Sequence, residues 1–383
     1  MPPRPFGVYV HYPWCSFRCP YCDFAVTTER PMPGNRYAAA VVAEMRRRAP
    51  AFAGRECATL YVGGGTPSLW EPEAIAQVVE AARALGLPGG AEVTLEANPE
   101  SADAGRAAAW REAGVNRVSI GVQSFDATVL RKLGRRHGPD EAERAVREVA
   151  GVIPNVSVDL IYGGRRASVD SARADAERVA SLPVTHVSAY ALTLDAEVLA
   201  EDVPFSRLAR EGKLAFPGDD EVLDEGRAIA ASLEGAGLRR YEISNFARPG
   251  FESRHNHLYW RSEDYLGAGA GAVGCVRTAA GAVRWTNHRA HGPWLAAVEA
   301  GALPSADEEA LGGAELRNER VMLALRTVDG LDASLLSPAQ RREVAGLVGA
   351  GLATLDGGRL VLTPEGMELH SAVVERLFEP SGG

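Results

Sequence analysis

Between residue 7 and about residue 235, short apolar runs that read as strands alternate with Ala-rich stretches that read as helices, and this alternation restricts the fold more than any other feature. The strand readings are Gly7–His11, Thr59–Val62, Glu92–Ala97, Arg117–Val122, Asn155–Ile161 and His186–Leu192. Helical stretches are expected near 36–49, 72–86, 102–113, 140–150, 169–181 and 219–236. Strand-then-helix units imply parallel strands joined by right-handed crossovers. A closed barrel of this kind takes eight units. The six read here predict the α/β class with an incomplete (β/α)6 barrel, open on one side. Parallel sheets gather binding groups in the loops after the carboxyl ends of their strands.

The loop after the first strand carries Cys15, Cys19 and Cys22, while Cys57 and Cys275 are scattered singles. A tight loop can point three thiolates into one small volume, as a metal or an iron–sulfur cluster requires. A four-iron cubane held by three cysteines leaves one iron for another ligand. A zinc site usually offers four ligands in paired short spacings, and the nearest addition, His11, falls on the strand itself. Free cysteines are also common as small buried residues. Three within eight positions, flanked by Pro13, Pro20 and aromatics, favour the cluster.

The other informative words fall after later strands. Gly63-Gly64-Gly65-Thr66-Pro67-Ser68 follows the second; glycines there admit a ligand close to the backbone, though a tight strand–helix turn would use them too. Glu96-Ala97-Asn98-Pro99-Glu100 follows the third, and a carboxylate at a strand end suits two ribose hydroxyls, or is an ordinary solvated residue. Gln123 closes the fourth and offers both a donor and an acceptor; Arg135 downstream can pair with a carboxylate, while Arg136 reads as solvated. Asp159 sits in an otherwise apolar fifth strand, where a carboxylate is costly unless paired or ligated. Further on, His255-Asn256-His257-Leu258-Tyr259-Trp260 sets two imidazoles beside aromatics. That makes a candidate haem site, or a loop bridged by hydrogen bonds.

The cysteine spacing after the first strand resembles that of the radical S-adenosylmethionine (SAM) proteins. The words Tyr9-Val-His-Tyr-Pro, Tyr-Cys22-Asp-Phe, Gly-Gly-Gly-Thr-Pro and Gly-Val-Gln-Ser-Phe-Asp resemble the oxygen-independent coproporphyrinogen oxidase group. His255-Asn-x-x-Tyr-Trp260 resembles the motif of its haem-chaperone branch. The resemblance runs from about residue 7 to the end. It implies a radical SAM partial barrel with a [4Fe–4S] cluster on Cys15, Cys19 and Cys22. It implies a SAM pocket lined by Tyr9, Tyr21, Gly64, Gly65, Thr66, Glu96, Gln123, Arg135 and Asp159, and haem at His255. The implied role is a haem chaperone that passes haem to an acceptor protein, a respiratory enzyme being one candidate. The alternative is the oxidase, which converts two propionates to vinyls. The oxidase pattern carries a further cysteine two places after the third, where this chain has Phe24, and a longer arm before the cluster. Both differences favour the chaperone, and a radical SAM enzyme on an unrelated substrate is the third class.

Composition narrows the rest. The formal net charge of −9 argues against a nucleic-acid binder working through bulk electrostatics. The opening Met-Pro-Pro-Arg-Pro-Phe shows no charged-then-apolar leader, and no apolar run approaches the roughly 18 to 20 residues of a membrane span. Five cysteines without a paired framework suit a reducing cytoplasm. The expected organisation is a core over 1–235, a connecting segment with the His-Asn motif over 236–300, and a winged-helix-like, mainly helical part over 301–383. In that last part, helices near 313–327 and 338–350 precede a hairpin over 352–363 and a helix over 364–377. Residues 313–383 carry seven Arg against ten Asp plus Glu, so docking or a lid role is expected there rather than DNA binding.

Overall fold

The computed structural model describes residues 3–164, 167–192, 203–214 and 217–378. Met1 and Pro2 of the opening lie outside them. One twelve-stranded sheet organises the chain. Its parallel centre is β1 (Pro5–Tyr12), β2 (Glu56–Gly64), β3 (Glu92–Ala97), β4 (Arg117–Gln123), β5 (Val156–Tyr162) and β6 (His186–Ala191), in sequence order. All six strand readings and the six helix readings of the first 236 residues find elements within a few residues of their expected ends. Short helices at Ala127–Lys132 and Pro204–Arg210 were not foreseen. The first is capped by Asp126, which accepts from the backbone N–H of Thr128 and Val129.

The alternation along these strands explains the curl of the sheet. Val8, Val10, Leu60, Val62, Leu95, Val118, Ile120, Val156, Val158 and Val187 point outward and are buried against the helices, forming most of the core. The intervening positions, among them Tyr9, Tyr61, Glu96, Ser119, Asp159 and Ser188, point the other way, to the hollow of the sheet. The sheet does not close. It continues outward in the order β12-β11-β10-β9 beyond β1 and β8-β7 beyond β6.

Five of those outer strands come from the part expected to connect two units, and β12 comes from the start of the part expected to be winged-helix-like, which therefore joins the large sheet before its own core begins. The six are β7 (Arg239–Arg240), β8 (Asn245–Ala247), β9 (Asp264–Ala268), β10 (Val273–Thr278), β11 (Gly281–Asn287) and β12 (Ser305–Leu311). The single strand expected over Arg240–Phe246 is a tight hairpin instead. Glu242 accepts from the Ser244 backbone N–H at 2.8 Å and the Asn245 side chain at 2.5 Å, which folds the chain back between β7 and β8. The His-Asn motif lies on the short helix Arg254–Trp260, capped by Ser253.

The last part has its own small sheet, β13 (Leu331–Asp332), β15 (Arg359–Leu362) and β14 (Ala353–Asp356), over a separate cluster that includes Val321, Leu325, Leu347, Leu360 and Leu377. Helices Gly313–Leu325 and Pro338–Gly349 match expectation. The final helix is broken at Leu369 into Pro364–Glu368 and His370–Leu377, because Leu369 leaves the helical region with ψ +21°.

One buried carboxylate fastens the β9–β11 edge to the first helix. Glu44, fully buried on Gly34–Arg48, accepts from Arg48 at 2.9 Å, Asn287 at 2.7 Å, the Gly269 N–H at 2.9 Å and Trp294 at 3.0 Å. Removing one partner of a buried ion pair leaves the other charge uncompensated and costs about 3–5 kcal/mol. Glu44→Ala is therefore expected to lower the stability of the protein by that amount in chemical denaturation.

Candidate functional site

Beyond Tyr12 the chain turns through the cysteine loop, which is tied down before any ligand is considered. Cys15 donates its N–H to Thr27 O at 2.9 Å, Thr27 returns one to Pro13 O at 2.8 Å, and Cys22 N–H bonds Cys19 O at 3.1 Å. Arginines clamp the outer backbone: Arg30 donates to Cys15 O at 3.0 Å, Arg18 to Cys22 O at 3.4 Å, and Arg289 to Asp23 O. Beneath the loop, Trp14 packs edge-on to Tyr37 and Tyr12 stacks on Trp70, with ring centroids 4.8 Å apart in both pairs. Arg136 is exposed, as expected, and its guanidinium lies over the Phe17 ring of the loop at 4.3 Å.

All three cysteines face one cavity of about 470 Å³. They are free thiols. Burial raises the Cys15 thiol to about 11 and pushes Cys22 up as well, so without a bound cation both favour the neutral thiol. Among the described residues, no three His, Cys, Asp or Glu side chains are grouped to hold a single metal ion. A cubane spreads its thiolates over more space than one ion does, and this donor set suits it.

The same cavity is lined by eight of the nine positions expected at a SAM pocket: Tyr21, Gly64, Gly65, Thr66, Glu96, Gln123, Arg135 and Asp159. Tyr9 is not among its lining residues; its hydroxyl bonds His11 Nδ1 at 3.0 Å behind the wall. The glycine turn has a steric reason. Gly64 holds φ +117°, and a Cβ there would meet the His11 ring at 2.6 Å; at Gly65 it would meet Trp14 O at 2.8 Å. Gln123 also has a positive φ of 72°, rare for a residue with a side chain, at the irregular end of β4.

Glu96 is no solvated loop residue. Its two oxygens accept from Tyr61 Oη at 2.7 Å and the Gly64 N–H at 2.9 Å. Burial nevertheless pushes its carboxyl up to about 7, the two hydrogen bonds only partly opposing. Asp159 accepts from Ser119 Oγ at 3.1 Å, and burial raises it too. Arg135 donates to Asn98 Oδ1 at 2.6 Å, Gly121 O at 2.8 Å and Cys19 Sγ at 3.7 Å.

Several lining residues escaped the sequence reading, among them Arg117, Asn98 and Asn256. Arg117, 2% exposed, faces the cavity with its Nε lacking a hydrogen-bond partner among the described residues. Asn98 bridges Arg135 and Thr66. Asn256 reaches the cavity from the His-Asn motif. The available signal for Arg117 was an arginine opening a strand whose same-face successors are Ser119, Gly121 and Gln123.

His255 is not in this cavity. Its ring lies near Gly7 and Thr59, toward the amino ends of β1 and β2, away from the cysteines. It is 1% exposed, and both ring nitrogens are engaged: Nδ1 with Thr59 Oγ1 at 2.8 Å and Nε2 with Tyr259 Oη at 2.9 Å. Burial lowers its pKa to about 3, so the imidazole is neutral. Two residues on, His257 and Trp260 line a separate cavity of about 680 Å³ against residues 320–335, and His257 Nδ1 has no partner among the described residues.

An open parallel barrel with three cysteines and a glycine turn at one mouth defines a radical SAM protein. A model of the radical SAM superfamily matches residues 9–179, and one of the HemN C-terminal domain matches 313–369. The chain is 40% identical over 384 residues to the heme chaperone HemW of Mycobacterium tuberculosis strain H37Rv, covering 99% of this chain and 96% of that one. It is 36% identical over 293 residues to heme chaperone HemW of Escherichia coli K12, covering 75% and 74%. Coproporphyrinogen III oxidase (HemN) from E. coli, a radical SAM enzyme, shares the fold with a TM-score of 0.79 over 98% of this chain and 91% of its own, at 22% identity. The chain belongs to the HemW family.

The raised Glu96 carboxyl gives a signed expectation for the ligand-free protein. A carboxyl held near 7 in the folded state and near the ordinary 4.5 unfolded contributes stability below 4.5 that is lost as pH rises through 7. Glu96→Gln, which mimics the protonated form, should match wild type below pH 4.5 and exceed it above pH 7. Equal melting temperatures at both ends would show Glu96 ionising normally.

Proposed function

We propose that this protein is a haem chaperone of the HemW kind, which binds a [4Fe–4S] cluster, SAM and haem and hands haem to an acceptor protein. The observation that carries the reading is the 40% identity to a heme chaperone HemW over nearly the whole of both chains. Cys15, Cys19 and Cys22 would hold the cluster, and Phe24, 63% exposed, stands where the oxidase pattern has another cysteine. When bound, such a cluster supplies the electron that cleaves the C–S bond of SAM. The chain's own share is to bind, orient and exclude water. The Gly64–Thr66 turn would admit the SAM amino group, Glu96 would accept from the ribose hydroxyls, Arg135 would pair with the methionine carboxylate, and Gln123 would offer a donor and an acceptor beside it. Tyr21 and Asp159 complete the wall, and Tyr9 supports it from behind through His11.

Haem is assigned to the His255 motif. A buried neutral imidazole is the ligating form, yet ligation by His255 requires its bond to Thr59 or Tyr259 to open. The C-terminal part, whose own core begins at Val321, is assigned to a docking or lid role. No helix among the described residues is long and apolar enough to cross a membrane, and the free thiols favour a reducing cytoplasm.

The oxidase remains the second reading, because the whole fold matches HemN. An anaerobic assay of reconstituted protein with SAM, reductant and coproporphyrinogen III, run beside a haem titration, separates the two. Stoichiometric haem binding without porphyrin conversion is expected; protoporphyrinogen formation would make the protein an oxidase. Cys15→Ala should abolish the roughly four irons per chain of the reconstituted cluster, and undiminished iron and sulfide would overturn the cluster assignment. His255→Ala should lose or shift the Soret band of bound haem with the cluster intact. If His257→Ala does so instead, the ligand is the neighbour that faces the second cavity.

A further inference from the structure

We propose that Asn98 is the positioning residue that couples the cysteine loop to the residues assigned to SAM, by holding Thr66 against Cys15 and Arg135 against Cys19. The inference rests on the reading of the three cysteines as cluster ligands. A continuous chain of hydrogen bonds runs between two of them. Thr66 Oγ1 donates to Cys15 Sγ at 3.5 Å, Asn98 Nδ2 donates to Thr66 Oγ1 at 3.1 Å, Arg135 Nη2 donates to Asn98 Oδ1 at 2.6 Å, and Arg135 Nη1 donates to Cys19 Sγ at 3.7 Å. The orientation of the amide is fixed by its partner. Arginine only donates, so the carbonyl end of Asn98 must face Arg135 and the NH₂ end must face Thr66.

The simpler role for an asparagine before a proline that opens a helical turn is an N-cap. Asn98 does precede the 3₁₀ turn Pro99–Ser101, but its side chain caps nothing; its backbone carbonyl takes the Ser101 N–H at 2.9 Å instead. Both ends of the amide are therefore committed to the chain. The surroundings keep room for it. A Cβ at Gly121 would come within 3.1 Å of Asn98 Oδ1, and the Gly121 carbonyl takes the further Arg135 bond at 2.8 Å.

Thr66 and Asn98 come from the loops after β2 and β3 and Arg135 from the turn after the helix Ala127–Lys132, none from the cysteine loop itself. Each thiolate at the ends of the chain thus receives one donor from outside its own loop, and the Arg135 bond becomes charge-assisted once Cys19 is a thiolate. Hydrogen bonds to cluster sulfurs are among the factors that set the reduction potential. Donors favour the reduced, more negative state and raise it. Without Asn98, Thr66 and Arg135 lose the partner that aims them.

The test is a redox titration of the reconstituted protein followed by electron paramagnetic resonance, with a SAM-binding titration alongside. Asn98→Ala should keep the iron and sulfide content, move the midpoint potential to a more negative value, and weaken SAM binding about tenfold, the scale of one lost hydrogen bond. Thr66→Val should shift the potential in the same direction, and the double variant should shift it by less than the sum, because both act on one chain. A wild-type potential in Asn98→Ala, or additive shifts, would overturn the proposal. If Asn98→Ala takes up no cluster, the near-isosteric Thr66→Val decides alone, a wild-type potential there overturning the chain. Wild-type protein that binds no iron would instead mark failure of the cluster reading.

Discussion

The constraint on which everything else depends is the two-sidedness of the parallel strands. One face of each is aliphatic and sealed by helices, which leaves the other face to polar side chains in a hollow largely cut off from water. Polar groups so placed must satisfy one another. Tyr61 bonds Glu96, Ser119 bonds Asp159, and Ser157 and Tyr241 take the two nitrogens of His186. The helices supply stability from outside while the hollow stays free for chemistry.

Desolvation then does more than demand partners. It raises Glu96 and Asp159 and lowers His186 and His255, so each shift favours the neutral form. Arg117 stands among them as a buried cation, lowering both carboxyls and both imidazoles. The cavity thus sets the guanidinium groups of Arg117 and Arg135 beside carboxyls that burial pushes toward the neutral form. Its mouth is different, with exposed Phe24 beside the cysteines.

How much of this was legible in the sequence follows from the range of the forces involved. The strands were readable because period-two burial is local, and Glu92–Ala97 was found to the residue. The cysteine loop and the glycine turn were readable because their spacing is itself the chemistry. The Arg240–Phe246 turn was not, since the side chain of Glu242, 0% exposed, overrides a strand-like pattern. Nor was the addition of β7–β12 to both edges of the barrel sheet, which depends on partners such as Glu44 and Asn287, far apart in sequence. Asn98 was not singled out, because only the approach of Thr66 and Arg135, from distant parts of the chain, gives its amide two partners.

The position of the histidine motif bears on how one chain could handle haem and SAM. His255 bonds Thr59, and its ring lies 5.2 Å from that of Tyr61, the next residue on the same face of β2. Tyr61 in turn donates to Glu96 in the cavity. One side chain, Tyr61, thus stands between the imidazole and the carboxylate assigned to the ribose. Asn256, the next residue of the motif, lines the cavity itself. The foot of the barrel and its mouth are thus joined through Tyr61, by a ring contact on one side and a hydrogen bond on the other.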